Sequence, residues 1–383
     1  MNYDTWKTLL EFDTDRDFIL DQIKNGFTLV DSSQCPKPCF VKNYPSARAH
    51  SQKVEQEILK EIAEGRYEII KDKPAIVSAM GAIPKSDGTV RIIHDCSRPA
   101  GSAANDYAVD MPKQKYQTIQ DAINQITPGC YLAKVDLKGA YRSCKLNTNQ
   151  YPFMGLHWTF SGDKSPTYIQ EKYMCFGAKA APSIFHRLSQ AIRRIMARRG
   201  GTIIAYQDDF LVIARSKLQC QLIYRELIQL LRDLGFSIAW NKLVDPTQSL
   251  IFLGVLFDTR NMTLDLPQDK LDKLLDMLRT FASRARASRR QLQKLAGKLA
   301  YASHVMVGGR CYLQRIYDMI GPLKQAHHKA RLTAGFKADV LFWLHYLSTF
   351  SCTRPLVNTK PDIHIYTDAC KRGAGMVSPF GWY

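Results

Sequence analysis

The chain has 383 residues, 45% of them hydrophobic and 23% charged, enough for sizeable cores and long for one compact unit, so two or three lobes are expected. No apolar run approaches the roughly 20 residues of a membrane span, and Met1-Asn-Tyr-Asp-Thr-Trp-Lys lacks the basic and apolar regions of a secretion signal. An intracellular protein, cytoplasmic or nuclear and with no membrane partner, is the expectation. Fifty-three Lys and Arg against thirty-five Asp and Glu give a formal +18, which suits a polyanionic partner such as a phosphate backbone but fits an ordinary basic protein equally well.

Residues 1–75 read as a mixed, loosely helical N-terminal extension, with Val54, Ile58, Leu59 and Ile62 at helical spacing. Two extended arms between Ile83 and His94 then meet at the turn Ser86-Asp87-Gly88. Residues 131–135 form a strand ending at Asp136. After Pro182, Ile184, Leu188, Ile192 and Ile195 recur every three or four residues as an amphipathic helix, which Gly200-Gly201 ends. Apolar runs at 202–206 and 210–213 flank Gln207-Asp208-Asp209, the pattern of a β-hairpin with an acidic turn. A helix over 222–234 and a strand over 251–257 follow.

Beyond 261 the pattern becomes helical. Leu271, Leu274, Leu275, Leu278 and Phe281 form one stripe, and Ser288 with Gln291 makes a capping box for a helix carrying Leu292, Leu295 and Leu299. Residues 261–330 hold thirteen Lys and Arg against five Asp, with Arg284, Arg286, Arg289 and Arg290 clustered between the two helices. Of ten cysteines only Cys35 and Cys39 are close, and no second pair or spaced histidines completes a zinc site, so free thiols are expected; His327-His328 reads as packing.

An aspartate at a strand end, such as Asp136, is most often a cap. Two adjacent aspartates between apolar strands are harder to dismiss, because their charges repel and hairpin turns prefer Asn-Gly or Asp-Gly. A divalent cation offsets that repulsion directly. Magnesium takes oxygen ligands and is shared between carboxylates and substrate phosphates. Two ions about 3.5–4 Å apart serve both the attacking and the leaving oxygen of an in-line displacement.

Tyr206-Gln-Asp-Asp resembles the Tyr-x-Asp-Asp signature of reverse transcriptases, and Ala133-Lys-Val-Asp-Leu-Lys-Gly-Ala-Tyr resembles their first catalytic strand. Phe176-Gly-Ala-Lys-Ala-Ala-Pro-Ser-Ile-Phe is similar to the Phe-Gly-Leu-x-x-Ala-Pro segment of gypsy-type retroelements, with Ala178 and Ala180 departing from its larger or polar residues. Leu234-Gly-Phe, Asn241-Lys242 and Phe252-Leu-Gly-Val follow in the family's order. Arg91-Ile-Ile-His-Asp-Cys-Ser-Arg-Pro with Asn105-Asp106, Ser288 through Gly297, and Arg331-Leu-Thr-Ala-Gly-Phe with Trp343 resemble the DIRS-type retrotransposon polyprotein, over about 75–383 in all.

The resemblance implies an α+β right-hand polymerase: fingers and palm, an antiparallel sheet plus helices, at 76–260; a helical thumb at 261–330; a connection at 331–360; and the start of a ribonuclease H domain at 361–383. It implies an RNA-directed DNA polymerase that extends a primer on an RNA or DNA template with deoxynucleoside triphosphates. Two Mg2+ ions, replaceable by Mn2+, would be bound by Asp136 and Asp208, with Asp209 and the Leu137 carbonyl completing the site. Tyr141 would exclude a ribose 2′-hydroxyl, although on the residues alone it also fits packing under the strand. Lys85 and Arg91 would contact the incoming triphosphate, the alternative being solvated hairpin charges. Gly177 through Pro182 would lie beneath the nucleotide and template, and Lys242 would protonate departing pyrophosphate. Phe252, Leu253 and Gly254 would grip the primer, and the basic helices after 266 would hold the duplex by its phosphates.

Residues 363–375 resemble the first strand of a ribonuclease H domain, with Asp368 as its first acidic ligand; fifteen residues follow it, so no independent ribonuclease H activity is expected and the chain reads as a fragment or decayed element. Two alternatives stay open. An RNA-dependent RNA polymerase also uses paired aspartates, but Tyr206 and Tyr141 stand against it. A domesticated palm scaffold would bind nucleic acid or protein without catalysis, but the three carboxylates stand against that.

Overall fold

Four antiparallel strands organise the larger part of the molecule, in the order Val244–Thr247, Tyr131–Asp136, Asp209–Ala214 and Thr202–Tyr206. The computed structural model describes residues 1–85, 87–306, 308–349, 353–356, 365–370, 373–378 and 381–382. It divides into two units, 1–122 with 130–250, and 123–129 with 251–383. Alternate residues of the four-stranded sheet (Ala133, Val135, Ile203, Ala205, Phe210 and Val212) enter a core shared with helices Ala181–Arg198 and Lys217–Asp233. The intervening Leu132, Ile204, Leu211 and Ile213 are buried as well. That is why these strands read as continuous apolar runs rather than alternating ones.

The stripe Ile184, Leu188, Ile192 and Ile195 is buried on Ala181–Arg198, as its periodicity requires. The next helix begins at Lys217, ahead of the first periodic apolar residue, because the Ser216 hydroxyl caps it by accepting from Gln219 N at 3.2 Å. The N-terminal segment is part of this same core. Trp6, Leu10, Ile19 and Leu20 are buried in it, and Trp6 Nε1 donates to the Leu234 carbonyl at 3.2 Å. Arg194 forks onto Asp13 at 2.6 and 2.8 Å and reaches Asp15 at 2.8 Å.

A five-stranded sheet runs Cys39–Phe40, Ile76–Val77, Gly155–Trp158, Thr167–Glu171, Tyr67–Ile70. With the hairpin Ala79–Pro84 and Val90–Asp95 it packs on helix Ser51–Ala63 through Val54, Ile58, Met80, Val90 and Ile169. Leu59, placed on the apolar stripe by sequence, is 51% exposed instead, because Val54 and Ile58 already define the buried face. Ser86 lies outside the described residues; Lys85 N donates to Thr89 O at 2.8 Å to close the hairpin.

The smaller unit contains helices Gln268–Ser283, Arg289–Ala302, Gln314–Ile320 and Ala334–Thr349. Leu274, Leu278 and Phe281 are buried, with Leu271 and Leu275 at the margin. Both bonds of the Ser288–Gln291 capping box are present, at 2.9 and 3.3 Å. The helix Ala334–Thr349, in the segment read as a connection, packs on Gln268–Ser283, with Phe336 and Phe281 rings 6.1 Å apart. The strand expected over 251–257 is broken: Leu253 and Gly254, at φ +46° and +78°, turn the chain between Ser249–Phe252 and Val255–Asp258. Tyr366–Cys370 pairs antiparallel with Gly373–Ser378, and residues 361–364 lie outside the described residues. No helix among the described residues is long and apolar enough to cross a membrane.

Candidate active site

Asp136 ends its strand directly opposite Asp209, which opens the neighbouring one. Because Tyr206 pairs with Asp209, the hairpin loop is only Gln207 and Asp208. Sequence placed both aspartates in the turn; Asp208 is there, and Asp209 is already in the strand. A two-residue loop of this kind needs positive φ at its first position, usually supplied by glycine. Here Gln207 holds φ +54°, a strained conformation, and its Nε2 donates to the Pro182 carbonyl at 3.0 Å. Leu137 N donates to Asp208 O at 3.1 Å, tying the turn to the residue after Asp136.

The three carboxylates therefore converge by strand register. Asp136 is 5% exposed. Lys242 Nζ lies 2.9 Å from Asp136 Oδ1, and Lys134 Nζ lies 2.8 Å from Asp209 Oδ1. The second contact is a charge contact only, since that buried oxygen has no well-directed hydrogen bond. Burial pushes the Asp208 carboxyl above its ordinary range, and the nearby Asp136 charge adds to this against Lys242 and Lys134. Burial likewise raises Asp209, with Lys134 opposing and Asp136 reinforcing. Two lysines facing three carboxylates leave the site short of positive charge.

Beside Asp208 opens a cavity of about 420 Å3, also lined by Lys85, Arg91, Leu137, Tyr141, Phe176, Gln207 and Lys242. That size suits a small-molecule ligand. Lys85 and Arg91 arrive on the hairpin Ala79–Pro84 and Val90–Asp95, and the Arg91 guanidinium sits 5.0 Å over the Phe176 ring. Gly139, at φ +61°, lets the chain leave the strand that ends at Asp136 and enter the 3-10 turn Ala140–Ser143, which delivers Tyr141. The Tyr141 ring lies 5.1 Å from Phe176 and 5.6 Å from Phe185 while facing the cavity, so it both packs and lines the site. Burial raises its hydroxyl pKa, then the Asp208 charge raises it further.

Gly177 does not line the cavity; it follows Phe176 at φ +125°, and a Cβ there would meet the His94 carbonyl oxygen at 1.8 Å. On another wall Arg142 pairs with Glu171 at 2.6 Å and Glu61 at 3.3 Å. Sequence reasoning missed Lys134 and this ion cluster. Lys134 was findable, since it precedes Asp136 by two residues and so shares its face of the strand. Glu61, Arg142 and Glu171 come from distant segments and carry no local pattern.

Phe252, Leu253 and Gly254 belong to the smaller unit. There Tyr301 Oη donates to Leu253 O at 2.7 Å and Lys270 Nζ donates to Gly254 O at 2.9 Å, while Phe252 is buried. Asp368 is exposed, opposite Gly375 in the strand pair described above.

Residues 83–257 match the family model described as reverse transcriptase (RNA-dependent DNA polymerase). The chain is also similar to solved structures of a foamy viral protease-reverse transcriptase. A dRH form in complex with double-stranded DNA shows 14% identity and TM-score 0.67, over 99% of this chain and 67% of that one. A second, with double-stranded DNA, shows 14% and 0.65 over 98% and 77%. A third, with an RNA/DNA hybrid, shows 15% and 0.65 over 99% of this chain and half, 50%, of that one. The chain shares the α+β polymerase fold of these structures, and residues 83–257 are similar to a reverse transcriptase domain.

Proposed function

We propose that the chain is an RNA-directed DNA polymerase of a DIRS-type, gypsy-like retrotransposon, adding deoxynucleotides to a primer 3′ end. The observation that carries this reading is the meeting of Asp136, Asp208 and Asp209 beside a cavity that also collects Lys85, Arg91 and Tyr141. The donor set fits magnesium: all-oxygen ligands, too little protein positive charge, and carboxyls whose proton affinity is raised by burial and mutual repulsion. Asp136, Asp208, Asp209 and the Leu137 carbonyl would hold two Mg2+ ions, or Mn2+ in their place. When bound, such ions supply the charge neutralisation that phosphoryl transfer requires.

The chain's own residues do the positioning. Lys85 and Arg91 bind the triphosphate, Lys85 as a point charge and Arg91 as a planar fork held over Phe176. Tyr141, fixed between Phe176 and Phe185, presents bulk where a ribose 2′-hydroxyl would lie. Lys242, an ammonium held at 2.9 Å from Asp136, is the proton donor for the leaving pyrophosphate. Gly177 supports Phe176 beneath the nucleotide, Phe252 through Gly254 hold the primer, and the basic helices after 266 hold the duplex. The double-stranded DNA and RNA/DNA hybrid in the foamy viral structures support a template–primer as partner. Asp368, in an antiparallel strand pair, is compatible with the opening of a ribonuclease H fold.

The reading is tested by supplying the full chain with a primed RNA template and either deoxy- or ribonucleotides in magnesium. Deoxynucleotide incorporation is expected. A preference for ribonucleotides would move the protein to the RNA polymerases, and incorporation of neither by folded protein would leave only a binding scaffold.

A further inference from the structure

The fingers strand Val90–Asp95 and the segment leading to Gly177 bring three soft donors together in the protein interior: His94, Cys96 and Cys175. They are 2%, 0% and 1% exposed, and one ligand atom of each lies within 4.8 Å of the others. The two sulfurs are 4.0 Å apart. A disulfide requires about 2.05 Å, so this is not one. Tetrahedral zinc with Zn–S bonds of about 2.3 Å holds its sulfurs roughly 3.8 Å apart, so the observed spacing needs a contraction of only a few tenths of an ångström.

The histidine supplies the second, independent observation. Both His94 ring nitrogens are buried without a well-directed hydrogen bond, and the polar group beside the ring is the Cys175 thiol. An imidazole always carries at least one N–H, and leaving such a group unmet in the interior is destabilising. Coordination gives the bare ring nitrogen a partner. We propose that His94, Cys96 and Cys175 form a structural metal site that takes one zinc ion.

Two thiolates and an imidazole select zinc over the hard, oxygen-seeking cations. Binding releases the two thiol protons to solvent and changes no oxidation state. The local sequence hides the site because Cys96 and Cys175 are far apart in the chain.

The site also has a mechanical consequence, which rests on the polymerase reading, although the site itself does not. His94 is three residues from Arg91, Cys175 directly precedes Phe176, and His94 N donates to Phe176 O at 3.1 Å. A metal here pins the hairpin that carries Arg91 to the segment on which Arg91 stacks.

The test uses the full chain, expressed with zinc, purified under reducing conditions and dialysed. Elemental analysis should give about one zinc per chain, and X-ray absorption should show two sulfur ligands at about 2.3 Å. Exchange with cobalt should produce thiolate-to-metal charge transfer. Cys96→Ser and Cys175→Ser should each lose the metal, while Cys35→Ser, at an exposed thiol, should keep it. Protein that holds less than about a tenth of an equivalent, or zinc with no sulfur in its shell, overturns the proposal. If the serine variants fail to fold, the stoichiometry and sulfur shell of the wild type still decide.

Discussion

Gly177→Ala places a methyl where the backbone leaves no room. The ideal Cβ meets the His94 carbonyl oxygen at 1.8 Å, whereas ordinary contact begins near 3.4 Å, so one backbone segment must retreat by about 1.6 Å. That retreat breaks the 3.1 Å bond from His94 N to Phe176 O, worth about 0.5–1.5 kcal/mol net. The φ of +125° is itself a glycine conformation, costing another residue about 1–3 kcal/mol. Together these give about 2–4 kcal/mol, and at about 2–4 °C per kcal/mol for a domain of 150–250 residues the melting temperature should fall by about 5–15 °C. Gly88→Ala is the control: its φ is +81°, yet a Cβ there meets nothing within 4 Å, so only the conformational part applies. Differential scanning of both variants separates the two contributions. Because Phe176 supports Arg91, Gly177→Ala should also raise the KM for deoxynucleotides. A Gly177→Ala protein that melts within about 1 °C of wild type, or no lower than Gly88→Ala, refutes the close approach.

A carboxyl whose pKa is raised on folding stabilises the fold below its ordinary range and costs stability once pH climbs through the raised value. Asp208 is such a group, so metal-free Asp208→Asn should melt above wild type at neutral pH, with the gap closing in acid below the usual carboxylate range; a variant that melts lower at pH 7 contradicts this. Tyr141→Ala should raise ribonucleotide use far more than it lowers deoxynucleotide use, while Tyr141→Phe, which keeps the bulk between Phe176 and Phe185, should leave the ratio level; equal ratios in both would place the discrimination elsewhere. Arg286 and Arg290 are exposed, whereas Arg289 donates to Lys324 O at 2.9 Å. Replacing Arg286 and Arg290 by alanine should flatten the plot of log duplex affinity against log salt by roughly 0.7–0.9 for each phosphate that the protein no longer neutralises. Arg289→Ala should lower stability instead, read as a reduced melting temperature.

The hairpin around Gln207-Asp208, the helix Ala181–Arg198 and the Ser288–Gln291 cap were legible because each is written in neighbouring residues: apolar periodicity, a turn, a capping pair. The cavity-lining residues Lys85, Arg91, Tyr141 and Lys242 came from motif resemblance, not from periodicity. What escaped depends on contacts between distant segments. Nothing local says that Trp6 and Leu10 belong to the core beneath the four-stranded sheet, or that Asp13 and Asp15 hold Arg194. The turn at Leu253 and Gly254 was masked because Ile251 through Phe257 reads as one apolar run, in which Gly254 alone marks where the strand folds back. His94, Cys96 and Cys175 likewise meet only once the hairpin Ala79–Pro84 and Val90–Asp95 and the segment before Gly177 are in place.

Extension of a DNA primer on an RNA template in magnesium, comparing wild type with Asp208→Asn, tests the central claim most directly. The substitution removes a carboxylate from beside Asp136 with almost no change of size. Wild type should extend the primer, and the variant should bind the same primed template with similar affinity but extend it at less than about a thousandth of the rate, a loss of roughly 4 kcal/mol in transition-state stabilisation. Extension by the variant at a rate close to wild type would remove Asp208 from the chemistry and contradict the active-site assignment.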